Sequence, residues 1–477
     1  MMSIPLSDSV HSYASNRLFR DAGENEVLLG ETPYRRPTRT FDNAFINYER
    51  PLTRGTQASN SALSTHRLLI NIYEADGVFL PHAAYDGFWD DFQAFYSAEN
   101  IAHGESIRHA LENKAFSFLQ NDVEVTGPWT ADTVIEFFKS FLKDQAETRD
   151  AEANNSPVLA AILNSRDPER CAKHYLIQLA PDFLSEASAM ARVAPGSYGD
   201  IQSAIFNILI DEYGASVHAN KHSTLFENTL QSVGLSPDIH TYWQFYHSTS
   251  LCLTNYFHYI TKNKRLFFRY IGALFYTEAS LVNVTKKQSE MLRKVFGAGV
   301  NTKYFDEHHH IDQHHGEMAL QRVIIPALER FGDQVASEIL RGYLEFQFLE
   351  ELADADLIAQ FDFFERLEND RCNAEKFYHE ITNGERNVSL ETFVECAGER
   401  STTHTHPDHR LLVIESGKMD FWPLAGDPLS LTAGDILFIP RHRLHGSVVT
   451  SDECVYHQPV AESETKELHQ NPQSHEV

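Results

Sequence analysis

The stretch Glu307–Glu317 constrains the fold of this chain most, because it places five histidines and three carboxylates within eleven residues. An α-helix turns by about 100° per residue, so residues three or four apart share a face. Imidazole and carboxylate groups together are ligands of iron, manganese or zinc. Helical spacing divides the stretch into a first stripe of His308, Asp312 and His315 and a second stripe of Glu307, His310, His314 and Glu317. The sequence predicts a metal site on one stripe, and helical geometry alone leaves both open.

The composition indicates a large acidic protein. The chain has 477 residues, enough for about three domains of ordinary size. Its 40 basic and 67 acidic residues give a net charge of −27, which disfavours nucleic acid and anionic membranes as partners. The five cysteines form no Cys-x-x-Cys pair, the N-terminus shows neither the basic flank nor the apolar core of a signal peptide, and no apolar run approaches the eighteen residues of a membrane span. We therefore expect a cytoplasmic protein without disulfides.

Residues 1–150 are expected to form a helical dimerisation domain with an extended N-terminal arm. The first sixty residues are rich in Arg, Asn, Pro and Thr, a composition typical of turn-rich segments that wrap a neighbour. Thr130 is placed as the N-cap of a helix that buries Val134 and Phe138. Residues 144–157 are polar and predict a linker. This domain is the basis for predicting a homodimer.

Residues 151–365 are strongly helical and contain glutamates at positions where apolar residues are expected. Each of Glu186, Glu212 and Glu278 has apolar residues three or four positions away on the same helical face. A buried glutamate is rare and costly unless it is paired or bound to metal. Three such residues in the same region as a His/Asp stripe predict a metal cluster.

His222 follows Glu212 by ten residues, which on a regular helix is about 1000° and roughly 80° short of the same face. The two side chains can converge only if the helix is irregular between them, and Gly214 permits such an irregularity. His218 is the alternative partner, but its spacing of six is less favourable.

Residues 366–462 change to short apolar strands separated by turns, which predicts a small β-barrel. The segment resembles a cupin. Its two half-motifs are Gly398, His404, His406 and Gly417, followed by Gly434, Pro440, His442 and His445. Two residues apart on a strand, His404 and His406 point to one side, so His445 can complete a three-histidine iron site. His442 stands where cupins usually have glycine.

Arg410 occupies the position of the usual cupin glutamate ligand. We expect its guanidinium to orient a substrate carboxylate. It also raises the alternative that the barrel has lost its catalytic turnover, because a nearby cation disfavours Fe(II).

Four motifs of the central region resemble the haem-oxygenase-like di-iron oxidases, and in particular the N-nitrosourea synthases, which end in a cupin. They are Glu186 in PDFLSEAS, Glu212 and His222 in DEYGASVHANKHSTLFE, Glu278 in LFYTEASLV, and the first stripe in HHHIDQHHG. The resemblance implies that Glu186, His222 and His315 hold one iron, that His308 and Asp312 hold the other, and that Glu212 bridges. It further implies that Glu278 is an extra catalytic carboxylate that joins on oxidation.

The expected fold is therefore α+β multidomain, with a helical N-terminal domain, an all-α haem-oxygenase-like bundle, a C-terminal cupin barrel and a disordered tail at 463–477. The resemblance implies two Fe(II) ions in the bundle and one in the cupin, with O2 as co-substrate and an external electron donor. It implies hydroxylation of guanidine nitrogens of an arginine derivative like Nω-methyl-L-arginine, followed by rearrangement to an N-nitrosourea.

Two alternatives stay open at this point. A diverged cupin would leave a di-iron N-hydroxylase of another guanidine or amine. A cupin-based ligand sensor would bind metal and consume no O2.

Overall fold

The predicted helices are present in the structure, a computed structural model that describes residues 5–20, 28–30, 32–39, 43–148 and 156–461. In chain order the helices are α1 (Leu6–Ala14), α2 (Asn60–Glu74), α3 (Phe88–Phe95), α4 (Ala98–Phe116), α5 (Leu119–Asp122), α6 (Ala131–Glu147), α7 (Pro157–Asn164), α8 (Pro168–Phe183), α9 (Ser188–Ala191), α10 (Asp200–Glu212), α11 (His222–Ser232), α12 (Ser248–Lys262), α13 (Phe267–Phe296), α14 (Lys303–Met318), α15 (Ile325–Phe331), α16 (Asp333–Arg366) and α17 (Arg371–Thr382). A π-helical segment, Ala319–Ile324, joins α14 to α15.

Helix α6 begins where its capping residue predicts. Thr130 Oγ1 accepts the backbone N–H of Thr133 at 3.3 Å, and Thr133 Oγ1 accepts the N–H of Thr130 at 2.9 Å. The two bonds satisfy helix-end donors that would otherwise lack partners. The helix buries Val134 and Phe138, as predicted.

The N-terminal arm is less extended than its composition predicts, because α1 forms within it. Val10 and Tyr13 of α1 belong to the same buried core as Tyr256 of α12 and Ile339 of α16. The N-terminal helices thus pack directly on the central ones. Dimerisation through this region stays a prediction. The predicted tail and residues 149–155 of the predicted linker lie outside the described residues.

The long helices α13 and α16 form the centre of the bundle, and two glycines allow their close approach. A Cβ atom at Gly272 would lie 1.8 Å from the Ile339 carbonyl oxygen, and one at Gly342 would lie 1.8 Å from that of Arg269. Any side chain at either position would force the helices apart. Within the described part of the chain, no helix is long and apolar enough to cross a bilayer. The five cysteines are free.

Among the described residues, the C-terminal region forms two antiparallel four-stranded sheets, a β-sandwich that is here called the barrel. The strands are β1 (Thr392–Cys396), β2 (Arg400–His404), β3 (Arg410–Ser416), β4 (Lys418–Trp422), β5 (Leu429–Thr432), β6 (Ile436–Ile439), β7 (His445–Val449) and β8 (Glu453–His457). Their order is β1-β8-β3-β6 in one sheet and β2-β7-β4-β5 in the other. In the second sheet His404 pairs directly with His445, so the register itself brings these two histidines together.

Buried polar contacts fix the barrel to the helices. Asp356 of α16 accepts a hydrogen bond from Arg443 Nη2 at 2.9 Å, and Gln360 exchanges hydrogen bonds with the backbone of Leu444 at 2.7 and 3.0 Å. Because both barrel residues immediately precede His445, α16 holds the segment that leads to this histidine.

Candidate metal centres

Burial separates the two stripes of α14. His308, Asp312 and His315 of the first stripe are at most 2% exposed. In the second stripe, His310 and His314 are exposed. The first stripe therefore faces the interior of the bundle, where buried imidazole and carboxylate groups need a partner such as a metal ion.

Glu186 reaches the same interior from a turn, which corrects the expectation that it lies on a helical face. Helix α8 ends at Phe183, and Ala187 adopts a left-handed conformation with φ 67°. The side chain of Glu186 is half-buried. Tyr304 on α14 donates its hydroxyl to Glu186 Oε1 at 3.1 Å.

Glu212 and His222 converge because the chain breaks between them, as the presence of Gly214 indicates. Helix α10 ends at Glu212, Gly214 has φ 61°, and α11 begins at His222. A Cβ atom at Gly214 would lie 2.4 Å from the backbone of Asn220, so no other residue fits this turn. The rival histidine, His218, is exposed.

Two groups of side chains in the bundle are spaced for a metal ion. Glu186, Glu212, His222 and His308 form the first, and Glu212, Glu278 and His315 form the second; within each, the ligand atoms lie within 4.8 Å of one another. Glu212 belongs to both groups. Its Oε2 lies 2.6 Å from His222 Nδ1, and its Oε1 lies 3.5 Å from His315 Nδ1.

Asp312 adds a third carboxylate to the second group. Its Oδ1 lies 3.4 Å from His315 Nδ1, and Glu278 Oε2 lies 3.1 Å from the same nitrogen. The side chain is buried, yet neither of its oxygens has a hydrogen-bond partner. A buried carboxylate in that state is costly unless a cation neutralises it, so this donor set fits a metal ion.

The grouping differs from the division that the family resemblance implied. His308 Nε2 lies 3.2 Å from Glu186 Oε1 and belongs with His222, whereas His315 belongs with Glu278 and Asp312. His308 and His315 are seven residues apart on α14, or about 10 Å along its axis. Because of this separation along the axis of α14, the two histidines lie next to different sets of carboxylates.

The carboxylates hold the histidines of the bundle in the protonated state. Burial lowers the pKa of His308, but the charges of Glu186 and Asp312 outweigh it and raise the pKa to about 10. The nearby carboxylates of Asp312 and Glu278 likewise raise the pKa of His315 against burial. Burial raises the pKa of Glu278 to about 7. These pKa shifts apply to the protein without bound metal.

Sequence reasoning missed two residues at this centre. Tyr304 precedes His308 by one helical turn, and its carbonyl accepts a hydrogen bond from His308 Nδ1 at 2.8 Å. Asp211 Oδ2 lies 3.2 Å from His315 Nε2. The i, i+4 spacing of Tyr304 and His308 is a signal that could have identified the first. The position of Asp211 depends on the break after α10.

The barrel brings His404, His406 and His445 together. Their ring centroids are 4.5 to 5.1 Å apart, and one nitrogen of each lies within 4.8 Å of the other two. His404 Nδ1 donates to the Thr402 carbonyl at 3.0 Å. His445 Nδ1 donates to the Arg443 carbonyl at 2.9 Å. These bonds direct each Nε2 toward the shared space.

The three nitrogens suit a metal ion. His406 Nε2 and His445 Nε2 are buried without hydrogen-bond partners. Burial, aided by nearby cations, lowers the pKa of all three histidines, that of His445 to about 4. They are therefore neutral at physiological pH, which is the form that binds metal.

Two arginines lie near these histidines. Arg410 begins β3, and its Nη1 pairs with Glu391 and donates to the Gln458 carbonyl at 2.9 Å. Its Nε is buried without a hydrogen-bond partner. Arg39, which sequence reasoning missed, is close enough for its charge to lower the pKa of His404, His406 and His445.

The backbone conformation at His442 explains why cupins usually have glycine at this position of the second motif. His442 has φ 62°, a left-handed conformation that glycine adopts most easily. Its backbone N–H donates to the His406 carbonyl at 2.8 Å. The turn therefore ties the His406 segment to the loop that leads to His445.

Comparison with known proteins assigns both regions. Residues 173–350 match a family described as iron-containing redox enzymes, and residues 394–456 match the cupin domain. The chain is 45% identical over 451 residues to nitrosourea synthase of Streptomyces achromogenes subsp. streptozoticus, covering 94% of each chain. The chain belongs to the nitrosourea synthase family.

As a member of the nitrosourea synthase family, the chain is an iron-dependent oxidative enzyme. The predicted fold class is confirmed, with a haem-oxygenase-like helical region and a C-terminal cupin. Both groups of metal-spaced side chains in the bundle lie within the first match, and the three histidines of the barrel lie within the second.

Proposed function

We propose that this enzyme uses iron and O2 to hydroxylate guanidine nitrogens of an arginine derivative, such as Nω-methyl-L-arginine, and then converts the product to an N-nitrosourea. Two irons for the hydroxylation would be held by Glu186, Glu212, Glu278, His222, His308, Asp312 and His315. One iron for the rearrangement would be held by His404, His406 and His445.

The observation that carries this proposal is the presence of two different buried ligand sets in one chain. Carboxylates dominate the set in the bundle, and Glu212 presents one oxygen to each of its two groups. The set in the barrel consists of neutral imidazoles. The name of the relative, nitrosourea synthase, supports the same overall conversion.

Iron at these centres supplies electrons for the reduction of O2. Each hydroxylation places one oxygen atom on a guanidine nitrogen and reduces the other to water, which consumes two further electrons and two protons. An external electron donor is therefore part of the proposal. Glu278 is the extra carboxylate of this set: it is buried, and its Oε2 lies 3.1 Å from His315 Nδ1.

In the barrel, the chain contributes positioning as well as ligands. Arg410 Nε is available to bind a substrate carboxylate while Glu391 holds the rest of the guanidinium. Arg410 thereby orients the hydroxylated intermediate beside the three histidines.

Homodimeric assembly in the cytoplasm also belongs to this proposal. Large apolar side chains are exposed in the N-terminal third, including Phe45, Val78 and Trp89. Such residues support an interface between copies of the chain.

The deciding experiment supplies Fe(II)-loaded protein with Nω-methyl-L-arginine and a reductant in air and identifies products by mass spectrometry. Wild type should form a nitroso product, His406→Ala should stop at hydroxylated arginine, and His315→Ala should form nothing. His314→Ala is the matched control for His315→Ala, because His314 is exposed on the same helix. Unchanged substrate with wild type would contradict the proposal.

A second candidate rests on Arg410. If this arginine prevents turnover in the barrel, the enzyme is an N-hydroxylase of a guanidine or amine. Wild type would then accumulate only hydroxylated product, and Arg410→Glu would be the first variant to compare.

A further inference from the structure

The bundle contains two neighbouring cavities. The larger has a volume of about 200 Å³ and lies between α8, α12, α13 and α16. A smaller cavity of about 90 Å³ is lined by Glu186, Glu212, Glu278 and His308. Asp182, Phe183, Thr277 and Leu281 line both cavities. The larger cavity, here called the side cavity, therefore borders on the space next to the metal ligands.

The side cavity is acidic. Asp182 lines it on the wall shared with the metal centre, and Glu350 and Asp354 line it from α16. Glu350 and Asp354 are four residues apart, so they share one face of the helix. Among the described residues that line it, none is lysine, arginine or histidine. The three carboxylates thus have no basic partner in the described lining of the cavity.

Gln288 provides a second, independent indication of a ligand. It lines the side cavity, is only 2% exposed, and donates Nε2 to the Tyr175 hydroxyl at 2.6 Å. Its Oε1 is buried and has no hydrogen-bond partner in the described part of the chain. A buried acceptor left unpaired is destabilising. A bound N–H donor would remove that cost.

We propose that the side cavity binds the cationic amino acid that is oxidised, with its guanidinium beside Asp182 and its α-ammonium beside Glu350 and Asp354. Gln288 Oε1 accepts a further N–H of the same ligand. This assignment rests on the proposed function and adds the residues that determine substrate specificity.

The orientation follows from the position of the wall that the two cavities share. The guanidinium must reach the metal centre to be hydroxylated, and Asp182 is the carboxylate on that wall. Glu350 and Asp354 do not line the smaller cavity, and neither belongs to a metal-spaced group among the described residues. Glu350, which also accepts a hydrogen bond from the Tyr276 hydroxyl, and Asp354 are therefore placed to bind a second cationic group farther from the metals.

Electrostatics support a cation in this cavity. Burial raises the pKa of Asp182 and of Asp354 to about 7, and it raises the pKa of Glu350 as well. An opposite charge favours the ionised form of each carboxyl group and offsets the cost of its burial. A neutral or anionic substrate would offer no such compensation.

The test compares two ligands that differ only in the α-ammonium: Nω-methyl-L-arginine and its deamino analogue. Binding to the full-length protein without iron is measured by calorimetry, and KM for hydroxylation is measured with the iron-loaded enzyme. Glu350→Gln and Asp354→Asn should each raise Kd and KM for the amino acid about tenfold and change Kd for the deamino analogue less than about threefold. Asp182→Asn should weaken both ligands.

Asp362→Asn is the matched control, because Asp362 lies on α16 with 63% of its side chain exposed. It should bind both ligands as wild type does. If wild type hydroxylates the amino acid but Glu350→Gln and Asp354→Asn leave Kd and KM unchanged, the assignment is wrong while the proposed function stands. If wild type neither binds nor oxidises any guanidine, both fail. Binding of the deamino analogue tests that each variant is folded.

Discussion

The pKa values of the candidate ligand histidines are shifted in opposite directions in the bundle and in the barrel. In the bundle, carboxylates raise the pKa of His308 to about 10 although the side chain is buried. In the barrel, burial lowers the pKa of His445 to about 4, and the charge of Arg39 adds to the effect. The bundle therefore holds protons at its candidate metal ligands, whereas the barrel presents neutral nitrogens.

This difference shows which interactions stabilise each centre. The bundle centre contains buried like charges, and Asp312 has no hydrogen-bond partner for either oxygen, so cations are needed to stabilise it. The barrel centre is organised by backbone carbonyls that fix His404 and His445. We expect the first to depend strongly on metal and pH, and the second to depend on the loops that carry its ligands.

The largest effect is expected from Glu212→Ala, because Glu212 belongs to both groups of the bundle. The variant should lose both irons of the bundle and retain that of the barrel. Guanidine hydroxylation should fall by more than about 100-fold. Iron content by elemental analysis and product formation check the two parts. Glu317→Ala, an exposed glutamate on α14, is the control. Retention of all iron by Glu212→Ala would contradict the shared role of Glu212.

Arg443→Ala should weaken the barrel centre alone. The substitution leaves Asp356 buried without its ion pair, and the loss of such a partner costs about 3–5 kcal/mol. Denaturation by urea at pH 7 should show this loss, and iron affinity should fall in the barrel only. Arg441→Ala, an exposed neighbour, should change neither.

The same ion pair predicts a dependence on pH. Burial alone would raise the pKa of Asp356, but the charges of Arg443 and His247 and its hydrogen bonds place it below its usual range. Its stabilisation is therefore present above the unfolded pKa of about 3.9 and is lost as the pH falls toward the folded value. The difference between wild type and Arg443→Ala should thus shrink below about pH 4. An equal difference at pH 7 and pH 3 would contradict this.

Metal affinity should respond to pH at the bundle and not at the barrel. Because the pKa values of His308 and His222 are raised, metal must displace at least one proton, so affinity should increase at least about tenfold per pH unit between pH 6 and 8. The barrel histidines are already neutral, and their affinity should stay constant over that range. Competition with a chelator measures each centre separately, in His404→Ala/His406→Ala for the bundle and in Glu212→Ala for the barrel. An equal dependence of metal affinity on pH at the two centres would contradict this prediction.

The smallest effect is expected from His442→Gly. At φ 62° a glycine relieves steric strain, so the barrel should gain about 1 kcal/mol of stability. His442→Val, which introduces a branched side chain at the same backbone angle, should destabilise it by a similar amount. Thermal denaturation of both variants measures the difference. Equal melting temperatures would show that the left-handed turn imposes no cost.

Much of both centres could be predicted from local sequence. Helical spacing identified His308, Asp312 and His315 as one stripe, although burial was needed to distinguish it from the stripe of His310 and His314. The two cupin half-motifs lie on adjacent strands whose register the structure confirms for His404 and His445. These predictions succeeded because helix and strand periodicity depend on local backbone geometry.

The sequence by itself determined which side chains can bind metal and where regular structure must break, as at Gly214. Only the tertiary structure decided which residues meet. The grouping of His308 with Glu186, the arrival of Arg39 beside the barrel histidines, and the side cavity with Glu350 all depend on contacts between distant segments. Such contacts are set by how whole helices and strands pack together, and no local periodicity records that packing.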